Sequence, residues 1–312
     1  QKEKIMSYSN SIIFGPIPSR RFGISLGVDL SPGKKQCNFD CLYCELEGAK
    51  TVDKMDEYPS VENIINEIKN SFETHPKIDV ITLTANGEPT LYPKLDELIT
   101  EINKIKSNTK TLILSNGSTI YKKEIYDALL KIDIVKLSLD CISEKCFKKL
   151  DRVNNSVETQ KIVPAMIDFS RQTKNDLVLE ILFVKDLNDK IDEIELLNKA
   201  INQIKPKRVD IGTIDRPPAY QVKPVTYEFL EDVASEFKNI NVNIVYKNRP
   251  KSMQTYSEDE IIKMLKRRPL TAEDIENMFD NQSKMTLDDL IKSNIITIVN
   301  SSGVEFYKNL LK

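Results

Sequence analysis

The sequence predicts an α/β fold: a partial (β/α)6 TIM-like barrel followed by a winged-helix-like (α+β) carboxy-terminal domain. Over residues 23–250, seven short runs rich in Val, Ile, Leu and Thr alternate with amphipathic helical patterns. Such repeated units imply a parallel sheet with right-handed crossovers, although periodicity alone also permits a doubly wound sheet. The composition changes near residues 246–257, where a different pattern begins. In either fold, function is expected at the carboxyl ends of the strands.

The elements follow from the spacing of apolar residues. The predicted strands are Ile24–Leu30, Val80–Thr84, Thr111–Leu114, Ile134–Leu139, Leu177–Val184, Val209–Thr213 and Val242–Tyr246. Between them, apolar side chains recur at the 3.6-residue period of a helix face. The predicted helices cover residues 61–72, 95–105, 125–132, 194–204 and 227–237.

The carboxy-terminal pattern predicts three helices and a hairpin. Residues 258–268 and 284–293 are helical in pattern, and Thr271 with Asp274 resembles a capping box for a helix between them. The runs Ile295–Val299 and Val304–Tyr307 flank a turn and predict a hairpin. This combination is typical of a winged helix. The predicted divisions are therefore an extension (1–22), a barrel (23–250) and a carboxy-terminal domain (251–312).

Composition excludes several classes of protein. Hydrophobic residues make up 40% and charged residues 29%, a globular balance. No apolar run approaches the length of a membrane-spanning helix, and the polar start lacks a signal-peptide core, so we expect a cytoplasmic protein without a membrane partner. The net charge of −2 predicts no whole-chain attraction to nucleic acid. A single histidine excludes any site that needs two.

The cysteines are the most informative residues. Three of the five fall in the segment Cys37-Asn-Phe-Asp-Cys41-Leu-Tyr-Cys44, directly after a predicted strand. Without an export signal, this clustering favours a metal site over disulfides. A single zinc ion would need a fourth ligand, whereas a four-iron cluster on three cysteines leaves one iron open. The candidates for a fourth ligand, all distant in sequence, are Cys141, Cys146 and His75.

The CxxxCxxC spacing, with Tyr43 before the last cysteine, resembles the signature of the radical S-adenosylmethionine (SAM) enzymes. In that superfamily the open iron chelates SAM, and one electron cleaves SAM to methionine and a 5′-deoxyadenosyl radical, which abstracts a substrate hydrogen. The resemblance implies a [4Fe–4S] cluster on Cys37, Cys41 and Cys44, with SAM as a second cofactor. It also implies an electron donor such as flavodoxin or ferredoxin.

Other strand ends resemble SAM-binding segments of the same superfamily. Asn86-Gly87-Glu88-Pro89 resembles a Gly-Gly-Glu-Pro segment whose carbonyls and carboxylate bind the SAM ammonium group. The segment Ser115-Asn116-Gly117 resembles a ribose- or carboxylate-binding end, although a plain turn would look the same. The SAM contacts that the resemblance implies are Tyr43, Asn86, Gly87, Glu88, Ser115, Asn116, Ser138, Asp140 and Asn188.

Three residues are candidates for catalysis. Glu180 alternates with Leu179 and Ile181 in a predicted strand, so its carboxylate is expected to face the barrel lumen near SAM. Lys185 closes the same strand and could bond SAM or substrate. Cys141 follows a strand end and could face the cavity and donate hydrogen to a product radical. Alternatively, Cys141 and Cys146 ligate an auxiliary centre or are incidental thiols.

Segments outside the cysteine motif resemble a branch related to the wyosine-forming tRNA enzymes. They are residues 15–27, 86–93 and 215–219. Those enzymes build a tricyclic guanine in tRNA and carry a second cluster on upstream cysteines, but this sequence has no cysteine before Cys37. The branch is therefore expected, and the reaction is not. Residues expected on the substrate side are Arg20, Arg21, Asp215 and Arg216.

Two classes of function fit these patterns. The first is a radical SAM enzyme that abstracts hydrogen from an unidentified substrate: a tRNA base, a peptide or a small metabolite. The second is a metal-binding winged-helix regulator without SAM chemistry. Residues 257–312 carry eight basic against ten acidic residues, which offers few phosphate contacts and makes duplex DNA an unfavourable partner.

Overall fold

The computed structural model describes residues 12–19, 21–75, 77–245, 253–267, 269–301 and 304–310. Its main element is an eight-stranded sheet whose strands are hydrogen-bonded in chain order. The strands are β1 (Ile13–Ser19), β2 (Gly23–Asp29), β3 (Val80–Thr84), β4 (Lys110–Ser115), β5 (Ile134–Ser138), β6 (Asp176–Phe183), β7 (Arg208–Thr213) and β8 (Val242–Ile244). From β2 to β8 every neighbouring pair is parallel, which confirms the predicted α/β fold.

Helices occupy every crossover between the parallel strands. They are α1 (Val61–Thr74), α2 (Leu95–Ile105), α3 (Lys123–Leu129), α4 (Glu144–Cys146), α5 (Thr159–Gln172), α6 (Ile191–Ile204) and α7 (Tyr227–Glu236). A π-helical turn, Phe147–Asp151, extends α4. The apolar stripe of each long helix packs against the outer face of the sheet, so the main core lies between sheet and helices.

Several elements lie where the sequence predicts no regular structure, among them β1, α4 with its π-helical turn, and α5. Strand β1 pairs antiparallel with β2 at the sheet edge, inside the expected extension. Pro16 and Pro18 interrupt this segment, and proline is tolerated in a strand only at such an edge. Helix α5 contains Pro164, which weakens its helical pattern.

The sheet curls so that its inner face encloses side chains. Arg21 lies in the turn between β1 and β2, yet its guanidinium is 3.3 Å from Glu180 of β6 and 2.9 Å from Asp210 of β7. Those strands are four and five places along the sheet from β2. Contacts of this kind require strong curvature, as in a partial barrel.

The carboxy-terminal residues build a core of their own around Tyr256, Ile261, Phe279, Leu287 and Ile296. Its elements are β9 (Leu270–Thr271), β10 (Ile296–Ser301), β11 (Val304–Asn309), α8 (Glu258–Arg267), α9 (Ala272–Met278) and α10 (Asn281–Lys292). As the sequence predicts, β10 and β11 form a hairpin and α9 starts at a capping box. The module packs on the sheet edge, because Ile17 of β1 contacts its core. Among the described residues, no helix is long and apolar enough to span a bilayer.

Candidate functional site

The three clustered cysteines lie on the loop that leaves the carboxyl end of β2. We call residues 30–58 the cysteine loop; its three cysteines are free, and each residue is intermediate in exposure. Its position is fixed by the segment that follows β3. Gln36 N donates to Asn86 O at 2.8 Å, and Glu88 N donates to Gln36 O at 2.9 Å. Sequence reasoning predicted both segments but not that they pair with each other.

Gly87 permits this pairing. Its φ is +137°, and a Cβ there would lie 1.9 Å from the backbone oxygen of Gln36. Only glycine fits so close a backbone approach. The Gln36 side chain then secures the far part of the loop, since its Nε2 donates to Glu57 O at 2.6 Å and its Oε1 accepts from Asp56 N at 2.8 Å.

Glu88 joins the end of β3 to the end of β4. Its Oε1 accepts from Thr90 N (2.9 Å), from Thr90 Oγ1 and from Ser115 Oγ, and its Oε2 accepts from Asn116 N at 2.8 Å. Burial raises the pKa of this carboxyl, and the hydrogen bonds work in the opposite direction. Glu88 and Ser115 are both predicted to contact SAM, and in the structure they are hydrogen-bonded to each other.

Polar groups surround the cysteine sulfurs. Asn116 Nδ2 lies 3.9 Å from Cys37 Sγ and donates to Asn38 Oδ1 at 2.9 Å. Lys35, which sequence reasoning did not select, places its Nζ 3.6 Å from Cys44 Sγ. Its side chain is 9% exposed and lies 3.9 Å from the Asp40 carboxylate. The loop thus presents N–H donors and a cation to its sulfurs.

Thiolates at these positions need positive charge. Burial raises the pKa of Cys37 to about 12, and it also raises the pKa values of Cys41 and Cys44. A bound metal deprotonates its thiol ligands outright, so a metal centre would supply the missing stabilisation. Lys35 acts in the same direction at Cys44, where its charge lowers the pKa.

The spread of the sulfurs fits a cluster better than a single ion. Sulfur ligands of one tetrahedral zinc lie about 3.8 Å apart, from a Zn–S bond of about 2.3 Å. Among the described residues, the one set of three candidate ligands whose atoms all lie within 4.8 Å is Cys141, Cys146 and Glu193. At least one pair of the three loop sulfurs is therefore more than 4.8 Å apart, which is further than two sulfur ligands of one zinc ion. The residues present fit an iron–sulfur cluster.

A second set of contacts supports the loop from behind. Asp40 N donates to Asp151 O at 3.0 Å, Leu42 N donates to Leu150 O at 2.9 Å, and Asn154 N donates to Asn38 O at 2.9 Å. The rings of Phe39 and Phe147 meet edge to face at 6.5 Å. Helix α4 and its π-helical turn thus form the outer wall behind the cysteine loop.

The predicted SAM contacts Tyr43, Asp140 and Asn188 lie together in the structure. Tyr43 OH donates to Asp140 Oδ2, and Asp140 Oδ1 accepts from Leu182 N at 2.6 Å. Burial raises the pKa of Asp140 to about 7. Asn188 is fully buried, and its amide bonds Asp140 O, Leu182 O and Val184 N. Asp140 and Asn188 therefore hold Tyr43 and the end of β6 in place.

A network of charges lies on the inner face of the sheet. Glu180 does face inward, as alternation predicts, and its side chain is 36% exposed. Lys136 of β5 donates to Glu180 Oε1 and lies 3.6 Å from Asp210. Burial opposes the ionisation of Glu180, but Lys136 and Arg21 outweigh it and hold its pKa below the usual range. Lys136 alternates with Val135 and Leu137, which lie in the core on the helix side, so the same argument from the sequence could have found it.

Other candidates lie elsewhere. Cys141 is fully buried in the core on the helix side, with its sulfur bonded to Cys146, because it continues the outward alternation of Leu137 and Leu139. This placement differs from the expected position facing the cavity. Ser138 pairs in register with Glu180, Lys185 is exposed at the end of β6, and Arg20 lies outside the described residues.

Arg216 connects the cysteine loop to the carboxy-terminal module rather than facing open space. Its guanidinium is 3.3 Å from Glu45, directly after Cys44, and it donates to Pro269 O at 2.5 Å. Asp215 lies beside it at 3.9 Å. Nearby, Ala219 N donates to Cys44 O at 2.8 Å. The segment after β7 therefore covers one side of the loop.

An α/β sheet that carries three free thiols on a loop at its strand ends fits the class of metal-cluster proteins. Residues 34–200, more than half of the chain, match the radical SAM superfamily. A UPF0026 protein of Helicobacter pylori is 42% identical over 300 residues, which cover 95% of this chain and 97% of that protein. A probable GTP 3′,8-cyclase of Methanococcus aeolicus is 28% identical over 200 residues, 60% of each chain.

Among solved structures, TYW1 with a lysine-pyruvate adduct has a TM-score of 0.53 at 14% identity and covers 92% of this chain and 80% of that one. At this identity the similarity concerns the fold. The chain belongs to the radical SAM superfamily and is an enzyme whose cofactors are a [4Fe–4S] cluster and SAM. The predicted family is confirmed, and a regulator without SAM chemistry is not supported.

Proposed function

We propose that Cys37, Cys41 and Cys44 hold the [4Fe–4S] cluster and that the enzyme abstracts hydrogen from a substrate bound over the inner face of the sheet. The observation that carries this proposal is the pairing of Gln36 with Gly87, which fixes three free thiols at the carboxyl ends of the strands. When bound, the cluster and SAM supply a one-electron reductive cleavage that yields a hydrogen-abstracting radical.

The residues of the chain bind and orient. We propose that SAM contacts the backbone of Asn86 and Gly87 and the side chains of Tyr43, Asn116 and Ser138, which border the loop or end neighbouring strands. Glu88 and Ser115 hold this edge rigid, because the Glu88 carboxylate at the end of β3 accepts hydrogen bonds from Ser115 Oγ and Asn116 N at the end of β4. The substrate then lies nearer Glu180 and Lys185.

Relatives whose names concern nucleotides support a proposal for the substrate class. A relative at 28% identity is a probable GTP 3′,8-cyclase, and another is a nucleotide dehydratase that depends on SAM. We propose a nucleobase-containing substrate, of which a tRNA base is one form. We also propose that residues 251–312 form a winged-helix domain, that Arg216 fixes it beside the cysteine loop, and that the enzyme works in the cytoplasm.

The test is anaerobic reconstitution of the full chain with iron and sulfide. We expect about four irons per chain and, after SAM and a reductant are added, 5′-deoxyadenosine. The control is protein that receives no iron or sulfide and is then given SAM and the same reductant. Failure to assemble a cluster, or a cluster that never cleaves SAM, would refute the proposal. Nucleosides from RNA of a strain without the enzyme, analysed by mass spectrometry, test the substrate class.

Lys35 should raise the reduction potential of the cluster. A cation beside a cysteine ligand stabilises the reduced, more negative cluster. We expect Lys35→Met to lower the midpoint potential by on the order of 60 mV, which is about a tenfold change in a one-electron equilibrium. A redox titration followed by electron paramagnetic resonance measures it. Lys34→Met is the matched control, because Lys34 is exposed and pairs with Asp56. Equal shifts in both variants would contradict this role.

A further inference from the structure

The outer wall behind the cysteine loop carries a concentration of positive charge. In residues 144–152 the buried side chains include Phe147, Leu150 and Asp151, which face the loop. The exposed ones are one acidic residue, Glu144, and four basic residues. We call the four the basic face: Lys145, Lys148, Lys149 and Arg152. This contrasts with a chain whose net charge is −2.

The charges on this face are only partly neutralised. Lys148 is 3.4 Å from Glu144, a surface pair with both side chains about three-quarters exposed. Lys149 donates to the backbone oxygen of Asp186 at 3.4 Å, and this neutral acceptor does not cancel the charge of the lysine. Arg152 is 3.1 Å from the buried Asp40 and lies over the ring of Tyr220. The four cations of the face are paired with two carboxylates, Glu144 and Asp40, so the face keeps an excess of positive charge.

The basic face is one helical layer away from the cysteine loop. The backbone bond from Leu42 N to Leu150 O (2.9 Å) and the bond from Asp40 N to Asp151 O (3.0 Å) join the two directly. A protein bound to the outer side of this layer would therefore stand close to the three thiols without entering the SAM side of the sheet.

We propose that the basic face is the docking surface for an acidic one-electron carrier protein of the flavodoxin type. Charge complementarity favours such a partner, since opposite potentials steer encounter and fix orientation in small, transient redox complexes. The step is outer-sphere: the carrier is oxidised by one electron, the enzyme is reduced by one, and no bond forms or breaks. This proposal rests on the cluster assignment of the preceding subsection.

The test measures the rate at which flavodoxin hydroquinone reduces the reconstituted enzyme. The variant is Lys145→Glu/Lys148→Glu/Lys149→Glu. The control changes three exposed lysines on other helices by the same charge, Lys69→Glu/Lys104→Glu/Lys199→Glu. At low ionic strength we expect the basic-face variant to be slower by tenfold or more and the control to keep its rate. Photoreduced deazaflavin, a small uncharged reductant, should reduce all three proteins equally.

Salt dependence gives a second measurement on the unmodified enzyme. Because the screening length falls from about 30 Å at 0.01 M salt to about 8 Å at 0.15 M, reduction by flavodoxin should slow as salt rises. Three results would each overturn the docking surface. They are a reduction rate that does not change with salt, an equal loss of rate in the control triple variant, and an equal loss of rate when deazaflavin reduces the basic-face variant. A chain that assembles no cluster would instead refute the function proposed above, so the two failures are distinguishable.

Discussion

Replacing Cys41 by alanine should abolish both cluster binding and SAM cleavage. Cys41 is the middle ligand of the proposed site, and two remaining thiols cannot hold a cluster that needs three. We expect iron content after reconstitution to fall to less than about a tenth of that of the unmodified enzyme, since structural Cys ligands are essential to Fe–S sites. Production of 5′-deoxyadenosine should fall with it. Iron and sulfide analysis and chromatography of the products measure these two losses.

Cys146→Ala is the matched control, because it removes a buried cysteine outside the loop. Cys146 is 5% exposed and its sulfur is bonded to Cys141, on the helix side of the sheet. This variant should retain its cluster and its SAM cleavage. If Cys146→Ala loses iron while Cys41→Ala keeps it, the cluster lies elsewhere and the assignment of the three loop cysteines is wrong.

Local patterns account for the parts of the fold that the sequence could predict. Strands β2 to β8 are apolar runs buried on the helix side, and the long helices carry regular stripes, so each can be identified within a window of a few residues. Two of the missed elements break such patterns. Strand β1 contains two prolines and α5 contains one. Both are stabilised by neighbours that are distant in sequence, which no local window contains.

The candidate site divides in the same way. The cysteine spacing and the Gly87-Glu88 strand end are local, and both lie where the sequence predicts. The contacts that support the loop are not visible in a local sequence window. The role of Lys35 depends on its distance to Cys44 Sγ, and the role of Leu150 depends on its backbone bond to Leu42. Sequence also cannot tell which buried polar groups are already satisfied. From its position in the sequence, Asn188 is expected to contact SAM, yet its side-chain amide is already bonded to three backbone groups.

Gly87→Ala should prevent cluster assembly although it touches no cysteine. The added Cβ would lie 1.9 Å from the Gln36 oxygen and 2.4 Å from its carbonyl carbon, both backbone atoms that cannot rotate away. The residue would also have to keep a φ of +137°, which costs of order 1–3 kcal/mol in any residue other than glycine. The loop must then separate from the strand end, and Cys37 moves with its neighbour Gln36. We expect iron content below about a fifth of normal and destabilisation of about 3 kcal/mol or more, measured by denaturant unfolding.

Gly212→Ala is the control variant. It separates the effect of the clash with Gln36 from the general effect of replacing a glycine by alanine. Gly212 lies in β7, and a Cβ there would meet the side chain of Val245, with Cβ at 3.5 Å and Cγ2 at 3.9 Å, both ordinary contacts. This variant should bind iron normally and change stability by less than about 1 kcal/mol, because glycine is slightly unfavourable inside a strand. If Gly87→Ala keeps a full cluster, the contact between Gln36 and Gly87 does not position the cysteines. The loop would then depend on its other support, the outer wall formed by α4 and its π-helical turn.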